Sequence, residues 1–294
     1  MIGQVKNSDQ EKQYGLLSNK GIYQVKPSVK SLLNDYTGAA AAYSLALLYD
    51  DYTGDAITVR RASDNATQNI GFDGQDLEIA ALESFCSGTD GFITTWYDQS
   101  GNANNATQTT ASSQPKIVSA GSVILENGKP TIDFDGVNDY FDLNNFSSVT
   151  TVSQFVVLKP SANNVEETFT SIQDNTTSNG ISLGQGNLSN QAKFGLRNYQ
   201  GADIADAGIA MSVQRYLLTG FTTVGTTEIF ANSIQGLISG RAKLSVAGDS
   251  QIGADGNGNN SFSGNLQSVI IYDSDQSSNR TGIETALNDY YNIF

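Results

Sequence analysis

Histidine is absent from this 294-residue chain, and cysteine occurs once, at Cys86. Without histidine the chain cannot build a Ser-His-Asp or Cys-His nucleophile system, or a histidine-ligated zinc or iron site. A lone cysteine forms no intrachain disulfide, so the fold must depend on packing. Cys86 itself is best interpreted as a small buried apolar residue.

Positive charge is also scarce. The 16 Lys and Arg residues face 30 Asp and Glu residues, which gives a formal net charge of -14 and a pI near 4.2. Phosphate backbones and anionic membrane surfaces repel such a chain, which argues against nucleic acid as a partner. No apolar run is long enough to span a bilayer, and the N-terminus lacks the apolar core of a signal peptide. We therefore expect no membrane insertion and no export by the ordinary secretory route.

The first 30 residues differ from the rest in charge and periodicity. They contain five lysines against Asp9 and Glu11, and they show neither a helical nor a strand period. Residues 1–30 are therefore predicted to be an extended basic arm that either docks onto a partner or is disordered. Residues 31–294 are expected to form one large β-domain, with a helical insertion at about 37–90.

Two helices are predicted inside that insertion. From Thr37 to Tyr52 the apolar residues Ala41, Leu45 and Leu48 follow helical spacing, and Gly54 lies just past the end. The apolar stripe of the second helix consists of Ile79, Leu82 and Cys86, and Gly88 follows its end. A third helix is predicted at the end of the chain, with Ile283, Leu287 and Tyr290 on one face.

The remaining pattern is typical of strands. Short β-branched and aromatic runs recur with Gly, Asn or Asp between them, which favours an all-β fold with small helical insertions, arranged as an antiparallel β-sandwich. These runs are Ile57–Val59, Phe92–Tyr97, Val123–Leu125, Thr131–Phe134, Phe155–Leu158, Ile181–Leu183, Tyr216–Phe221, Thr227–Ala231, Lys243–Val246 and Ser268–Tyr272.

Several blocks carry a family resemblance. They are Ala42–Leu45 with Tyr52–Gly54, Val59–Thr67, Ala81–Cys86 and Trp96–Asn102. Their order and spacing resemble the N-terminal half of the α-L-arabinofuranosidase B catalytic domain, and similar blocks occur in tailed-phage structural and fibre proteins. In the second half, Phe134–Phe141 and Phe262–Tyr272 resemble the early and last strands of laminin-G-like and concanavalin A-like lectin domains. The resemblance implies a concanavalin A/laminin-G-like jelly roll.

The arabinofuranosidase resemblance also implies a catalytic pair. Retaining glycosidases use two carboxyl groups about 5 Å apart. Asp255 matches the place of the family's acid/base, whereas the stretch that matches the family's nucleophile, Lys193–Asn198, contains no carboxylate. Glu166, Glu167 or Asp203 remain as substitutes. This departure favours a protein that does not catalyse, while enzyme activity stays open.

Other candidate residues are chosen by chemistry. Sugar sites combine aromatic platforms with amide and carboxylate groups, and calcium prefers Asp and Asn oxygens. The ligand-binding candidates are Asp98, Gln99, Tyr199, Asp255 and Asn257, and the candidates for calcium are Asp133, Asp135 and Asp139. The alternative for Asp255 is simple turn chemistry, and for the acidic cluster a solvated surface.

The leading functional hypothesis is a tailed-phage virion surface protein, such as a head fibre, decoration protein or tail-fibre subunit. Its sandwich would adhere to cell-surface or environmental glycans, and its arm would contact capsid or tail proteins in a homo-oligomer. The alternatives are an α-L-arabinofuranosidase-like glycoside hydrolase and a purely structural subunit without a ligand. Turnover of a chromogenic arabinofuranoside is expected only for the hydrolase, so this assay distinguishes it from both other hypotheses.

Overall fold

The computed structural model describes residues 29–143, 146, 149–162, 166–174, 179–188, 191–198, 204–210, 212–223, 226–236, 250–256 and 258–294. The predicted arm lies outside these ranges except for its last two residues. The predicted strand Lys243–Val246 and the candidate residues Tyr199, Asp203 and Asn257 also lie outside them.

Strands make up most of the described chain. In the first half they are β1 (Ala39–Ser44), β2 (Ile57–Arg61), β3 (Thr67–Ile70), β4 (Phe72–Asp73), β5 (Asp76–Leu77), β6 (Gly91–Trp96), β7 (Ala106–Thr107), β8 (Lys116–Ser119), β9 (Ser122–Val123), β10 (Leu125–Glu126), β11 (Lys129–Pro130), β12 (Ile132–Asp135) and β13 (Phe141–Leu143). In the second half they are β14 (Val152–Pro160), β15 (Glu167–Asp174), β16 (Asn179–Leu188), β17 (Gln191–Asn198), β18 (Ile204–Ala210), β19 (Tyr216–Thr223), β20 (Thr226–Ala231), β21 (Ile234–Gln235), β22 (Ser250–Ile252) and β23 (Ser263–Tyr272).

Helical structure is limited. Within the described ranges it consists of α1 (Leu32–Asp35), α2 (Ile79–Phe85), α3 (Arg280–Tyr291) and the 3₁₀ turns Val29–Ser31 and Ala111–Ser113. None of the helices in these ranges is long and apolar enough to cross a membrane.

Strand pairing is antiparallel and follows two paths. In the first path β23 pairs with β1, β12 and β14, and β14 continues to β19, β20 and β21. The second path runs from β3 through β2, β6, β7, β13, β22, β15, β16 and β17 to β18. Strand β8 pairs with β6 and with β12 and so joins the two paths. The predicted all-β, antiparallel class is confirmed.

The hydrophobic core lies between the two paths. Val156 of β14 and Phe141 of β13 belong to this core. Phe155 of β14 belongs to a second hydrophobic cluster, together with Leu287 of α3. Because alternate residues of a strand point to opposite faces, β14 is buried on both sides. Its apolar run Phe155–Leu158 follows from that double burial.

Helix α3 is held on the first path by a buried carboxylate. The helix buries Ile283 and Leu287 as predicted, and Glu284 between them is only 2% exposed. Glu284 accepts hydrogen bonds from Thr219 Oγ1 at 2.7 Å and Ser233 Oγ at 2.7 Å, and Arg280 Nη1 lies 2.6 Å away. The helix is therefore fixed to β19 and to the turn after β20 by charge-assisted bonds.

Replacing Glu284 with Gln is expected to lower the free energy of unfolding by about 2–3 kcal/mol, because it leaves the Arg280 guanidinium without its carboxylate in a buried site. Chemical denaturation monitored by circular dichroism measures this difference. Glu78→Gln, at an exposed position, is the matched control and should change stability by less than about 0.5 kcal/mol. Equal stability of both variants would contradict the buried role of Glu284.

The predicted helix from Thr37 to Tyr52 is wrong. Residues 39–44 form β1, which pairs with the central strand β23. Ala41 and Tyr43 contribute to the core between the paths, whereas Ala42 faces the cluster under α3. A short apolar run buried on both faces shows no periodicity that distinguishes a helix from a strand, and sheet pairing decides. In the segment 37–90 the strands together cover more residues than helix α2, so it is not a helical insertion.

The other local predictions agree better with the structure. Helix α2 covers the stripe of Ile79 and Leu82 and ends before Gly88, whose φ is +71°. The predicted strands at residues 57–59, 92–97 and 216–221 correspond to β2, β6 and β19. These segments have a clear period or a glycine at the end, so local sequence is sufficient to define them.

Candidate functional site

The carboxylate of Asp98 is used inside the fold. It is 4% exposed, and Oδ1 accepts hydrogen bonds from the backbone amides of Ala42 and Ser100, both at 2.8 Å. Oδ2 accepts from Ser100 Oγ at 2.8 Å and from the Asn104 amide at 3.0 Å. With four donors in place, Asp98 joins β1 to the loop after β6. Its predicted ligand-binding role gains no support from this position.

Gln99 performs the same kind of task. Its Oε1 accepts from the Leu48 amide at 2.8 Å, and its Nε2 donates to the carbonyls of Ser44 at 3.1 Å and Ala46 at 3.0 Å. The side chain is fully buried. Asn102 Nδ2 donates to the Ala39 carbonyl at 2.9 Å. The most recognisable block of the sequence therefore organises the backbone around β1.

Gln99→Ala is expected to reduce the free energy of unfolding by about 3 kcal/mol, since it leaves one buried amide and two buried carbonyls without their partner. Thermal and urea denaturation check this expectation. Gln235→Ala removes an exposed glutamine and should shift stability by less than about 0.5 kcal/mol. A small loss for Gln99→Ala would show that water replaces these bonds.

The candidate calcium ligands Asp133, Asp135 and Asp139 are not arranged around a common metal site. Asp139 Oδ2 accepts from the Asp135 amide at 3.0 Å, whereas Asp135 Oδ1 accepts from the Val137 amide at 2.7 Å. Desolvation raises the pKa of Asp139 to about 6 and also raises that of Asp133. Among the residues that the structure describes, no group of three or more His, Cys, Asp or Glu residues is arranged to hold a metal ion. The carboxylates of Asp135 and Asp139 organise the turn between β12 and β13.

A row of polar residues crosses the second path on the face that points away from the core. In register, Asp142 lies beside Gln251, Gln251 beside Ser171, and Ser171 beside Ser182. Gln251 Nε2 donates to Asp142 Oδ1 at 3.0 Å. Ser171 and Ser182 are buried, yet in the described parts of the chain their hydroxyls have no hydrogen-bond partner. Since buried hydroxyls are usually paired, these two are exceptions within the described sheet.

Asp255 lies in the loop between β22 and β23 and is 2% exposed. Its Oδ1 accepts from the Asn259 amide at 2.9 Å, and its Oδ2 accepts from Asn260 Nδ2 at 3.2 Å. The Gly258 amide donates to Gln251 Oε1 at 3.2 Å, which connects the loop to the polar row. The turn chemistry expected for Asp255 is present. A catalytic or ligand-binding role for the same carboxylate stays a prediction.

Glu167 is a second buried carboxyl group beside this loop. It begins β15 and is 3% exposed, and Gln185 Nε2 donates to it at 2.5 Å. Desolvation raises the pKa of Glu167 to about 7, although hydrogen bonds from the Ser263 amide and Gln185 oppose the shift. A carboxyl group that titrates near neutral pH is suited to proton transfer.

Strand β15 is attached to both ends of the Asp255 loop. The Gly253 amide donates to the Phe169 carbonyl at 2.9 Å, and the Thr168 amide donates to the Asn260 carbonyl at 2.8 Å. These bonds place Glu167, one residue before Thr168, next to the chain segment that carries Asp255. The sequence alone leaves Glu167 as one of three substitutes. A bulge between Thr168 and Thr170 breaks the alternation from which its burial could have been predicted.

The stretch that matches the nucleophile position, Lys193–Asn198, lies within β17. Arg197 pairs in register with Ser182 of the neighbouring strand. The structure thus brings the two halves of the predicted catalytic pair to one sheet. It supplies no carboxylate at the β17 position. Of the other substitutes, Glu166 is exposed.

Comparison with known proteins supports the arabinofuranosidase resemblance. Residues 34–128 match the family model of the catalytic domain of α-L-arabinofuranosidase B. A probable α-L-arabinofuranosidase B from Aspergillus terreus is 47% identical over 75 residues, which is 24% of this chain and 15% of that protein. An α-L-arabinofuranosidase from Hypocrea jecorina is 42% identical over 74 residues, with the same coverage of 24% and 15%.

Solved structures extend the similarity to most of the chain. An arabinofuranosidase complexed with arabinofuranosyl-α-1,2-xylobiose superposes with a TM-score of 0.71 at 17% identity, over 88% of this chain and 64% of that one. A family 54 glycoside hydrolase, an α-L-arabinofuranosidase soaked with a cyclic sulfate inhibitor, gives 0.71 at 16% identity, over 88% and 65%. At this identity the similarity shows the fold alone. The chain also spans less than two thirds of either structure.

The comparisons contradict the phage hypothesis. The relatives and the well-superposed structures are named arabinofuranosidases, and nothing supports a virion location, capsid or tail partners, or a homo-oligomer. The resemblance to laminin-G-like and phage fibre proteins is likewise unsupported. The matched range, 34–128, includes Asp98 and Gln99 but neither Glu167 nor Asp255. Sequence similarity therefore covers the residues that organise the fold, and the candidate chemistry lies outside it.

Proposed function

We propose that this chain is a glycoside hydrolase domain that removes α-L-arabinofuranosyl groups, with Asp255 as its acid/base. The observation that carries the proposal is the position of Asp255. It is a buried carboxylate in a loop attached to a polar row, at the place where the resemblance puts the acid/base. The similarity of fold to arabinofuranosidases over 88% of the chain supports this assignment.

Glu167 is proposed as the second carboxyl group. Glycoside hydrolysis needs two carboxyl groups, about 5 Å apart in retaining and about 6.5–9.5 Å apart in inverting enzymes. Strand β17 offers Arg197 at the matching position, and a guanidinium cannot form a glycosyl ester. Glu167 is the buried alternative, and its neighbour Thr168 is bonded to the Asp255 loop. In this arrangement the second carboxyl group approaches from β15.

The polar row is proposed as the floor of the substrate site. A furanoside presents hydroxyl groups on its edge, and the exposed carboxylate of Asp142 in this row can accept hydrogen bonds from them. Gln251 connects this row to the Asp255 loop. Tyr199 and Asn257 remain candidates for substrate contact on the grounds of their chemistry alone.

The finer description of the fold is part of the same proposal. The two antiparallel paths with a core between them suit a concanavalin A-like jelly roll, which places a ligand on one face of a sheet. We further propose that residues 31–294 fold as one domain and that residues 1–30 are a separate basic arm.

Release of 4-nitrophenol from 4-nitrophenyl α-L-arabinofuranoside tests the proposal. The wild-type chain should hydrolyse this substrate and leave the corresponding β-D-xyloside and β-D-galactoside intact. Liberated L-arabinose, identified by NMR, confirms that the glycosidic bond is broken and reports the stereochemistry of the product. Absence of turnover at pH 5 to 8 with a folded protein would refute the proposal.

A further inference from the structure

A buried glutamine faces the buried carboxyl group of Glu167. Glu167 of β15 and Gln185 of β16 are directly opposite in register, and they are 3% and 2% exposed. Gln185 Nε2 donates to Glu167 Oε2 at 2.5 Å. A Cβ at Gly184 would collide with the Glu167 carbonyl oxygen and would lie 3.3 Å from Thr168 Cα. The glycine therefore allows the two strands to approach closely, which brings the amide within reach of the carboxyl group.

A second bond fixes the amide of Gln185. Its Nε2 also donates to the Ala162 carbonyl, at 3.2 Å, in the loop after β14. In the same loop the Ser161 amide donates to the Ser263 carbonyl at 2.8 Å, and the Ser263 amide donates to the Glu167 carboxyl group. These bonds form a closed ring from Gln185 through the loop and the start of β23 to Glu167. Both donors to the carboxyl group are therefore held by connected backbone.

The amide of Gln185 is arranged for donation. Its Oε1 is buried and, among the residues that the structure describes, has no hydrogen-bond partner. An unpaired buried oxygen costs stability, so packing alone does not account for a glutamine at this position. An ionised carboxylate has only acceptor atoms, and the nitrogen of Gln185 is the atom that meets Glu167. The orientation of the amide therefore serves the ionised form of Glu167.

Uncharged donors face Glu167 from the elements packed against it, namely the Gln185 amide from β16 and the Ser263 amide from β23. The ionisable groups nearby are Glu166, which is exposed, and Asp255, whose loop is bonded to β15. Burial raises the pKa of Glu167, the two donated bonds oppose that rise, and within the described residues no charged group contributes to it. Hydrogen bonds therefore decide how far burial shifts this carboxyl group.

We propose that Gln185 is a positioning residue that holds the Glu167 carboxylate in its ionised form beside the Asp255 loop and so sets the lower pH limit of hydrolysis. The inference rests on the proposed function of Glu167 as the second carboxyl group. Gln185 acts through Glu167 and not on the substrate. Without the bond that Gln185 donates, Glu167 keeps its proton to a higher pH.

An NMR titration of Glu167 in the full chain tests this inference and requires no turnover. The protein is labelled with ¹³C at the glutamate carboxyl groups, and Glu167→Gln identifies the signal of Glu167. Gln185→Met, with a side chain of similar length and no donor, should raise the titration midpoint of Glu167 by at least about 1 pH unit. Gln185→Asn withdraws the amide by one methylene group and should shift the midpoint in the same direction, so it decides the question if the methionine variant does not fold.

A pH-rate profile separates this role from a purely structural one. A rise of the midpoint from about 7 to about 8 lowers the ionised fraction of Glu167 about 5-fold at pH 7 but hardly at pH 9. The kcat of Gln185→Met for 4-nitrophenyl α-L-arabinofuranoside should therefore fall at least about 5-fold at pH 7 and approach the wild-type value at pH 9. A loss of the same size at both pH values would indicate a structural role and contradict the inference.

Gln267→Met is the matched control. Gln267 is 3% exposed, and its Nε2 donates to backbone carbonyls of β10 and β11, at 3.1 Å for Pro130. This variant should lose stability but keep the wild-type midpoint of Glu167. An unchanged midpoint in the Gln185 variants, or an equal shift in Gln267→Met, would overturn the inference. Absence of turnover in the wild type would refute the proposed function separately, because the titration still shows whether Gln185 controls Glu167.

Discussion

Asp255→Asn is expected to lower kcat for arabinofuranosyl oligosaccharides by about 10²–10⁴-fold, because the leaving sugar then departs without a proton donor. For the 4-nitrophenyl substrate the loss should be smaller, since nitrophenolate needs little protonation. The amide oxygen of Asn can still accept the bond from the Asn259 amide, so the backbone bond of this turn is retained. Steady-state kinetics with both substrates, together with a thermal melt, measure the effect.

The dependence on the leaving group separates catalysis from turn chemistry. If Asp255 only organises its loop, both substrates lose activity by the same factor or neither does. Asp275→Asn is a suitable control, because Asp275 is an exposed residue whose Oδ1 accepts from the Ser277 amide in a comparable turn. That variant should keep wild-type kinetics. A uniform loss in Asp255→Asn would contradict its role as the acid.

Glu167→Gln is expected to reduce kcat by at least about 10²-fold and to change the pH dependence of activity. The pKa of Glu167 is raised to about 7, so the ionised carboxylate that acts as nucleophile or general base forms mainly above that pH. Wild-type activity should therefore rise with an apparent pKa near 7, and the residual activity of the variant should lack this limb. A pH-rate profile from 5 to 9 tests the expectation.

The same residue makes stability depend on pH. Its folded pKa of about 7 lies above the ordinary value of 4.5, so the folded state holds a proton that the unfolded state releases. The stabilisation is present below pH 4.5 and is lost as pH rises through 7, amounting to about 2–3 kcal/mol after solvent screening. Urea denaturation at pH 5 and 8 should show this loss in the wild type but not in Glu167→Gln. Asp139→Asn serves as control, since the pKa of Asp139, about 6, makes stability change over a lower pH range. A variant that keeps both the activity and the slope would exclude Glu167.

Local sequence is sufficient to predict those elements that have a clear apolar period and a recognisable end. Helix α2 stops before Gly88, and Ile283 with Leu287 gives α3 a clear stripe. The sequence of strand β1 fits a helix equally well, because both of its faces are buried, one by the core and one by the cluster beneath α3. Only pairing with β23 resolves that ambiguity, and such long-range pairing is not a property of a sequence window.

The candidate site shows a similar division. The resemblance makes Asp255 a candidate acid/base, whereas the sugar-binding candidates Asp98 and Gln99 are hydrogen-bonded to backbone groups around β1. Their side-chain types fit a ligand as well as they fit a buried amide, so composition alone could not decide. Glu167 was one alternative among three. Its importance depends on burial and on the bond between Thr168 and Asn260, which are tertiary features.

Arabinose release from an arabinofuranosyl-xylobiose by the wild-type chain and by Asp255→Asn, run side by side at pH 7, tests the hydrolase assignment most directly. The account predicts steady release of L-arabinose by the wild type and a rate at least about 100-fold lower for the variant. Failure of the folded wild type to release any arabinose, or equal rates for the two proteins, would contradict it.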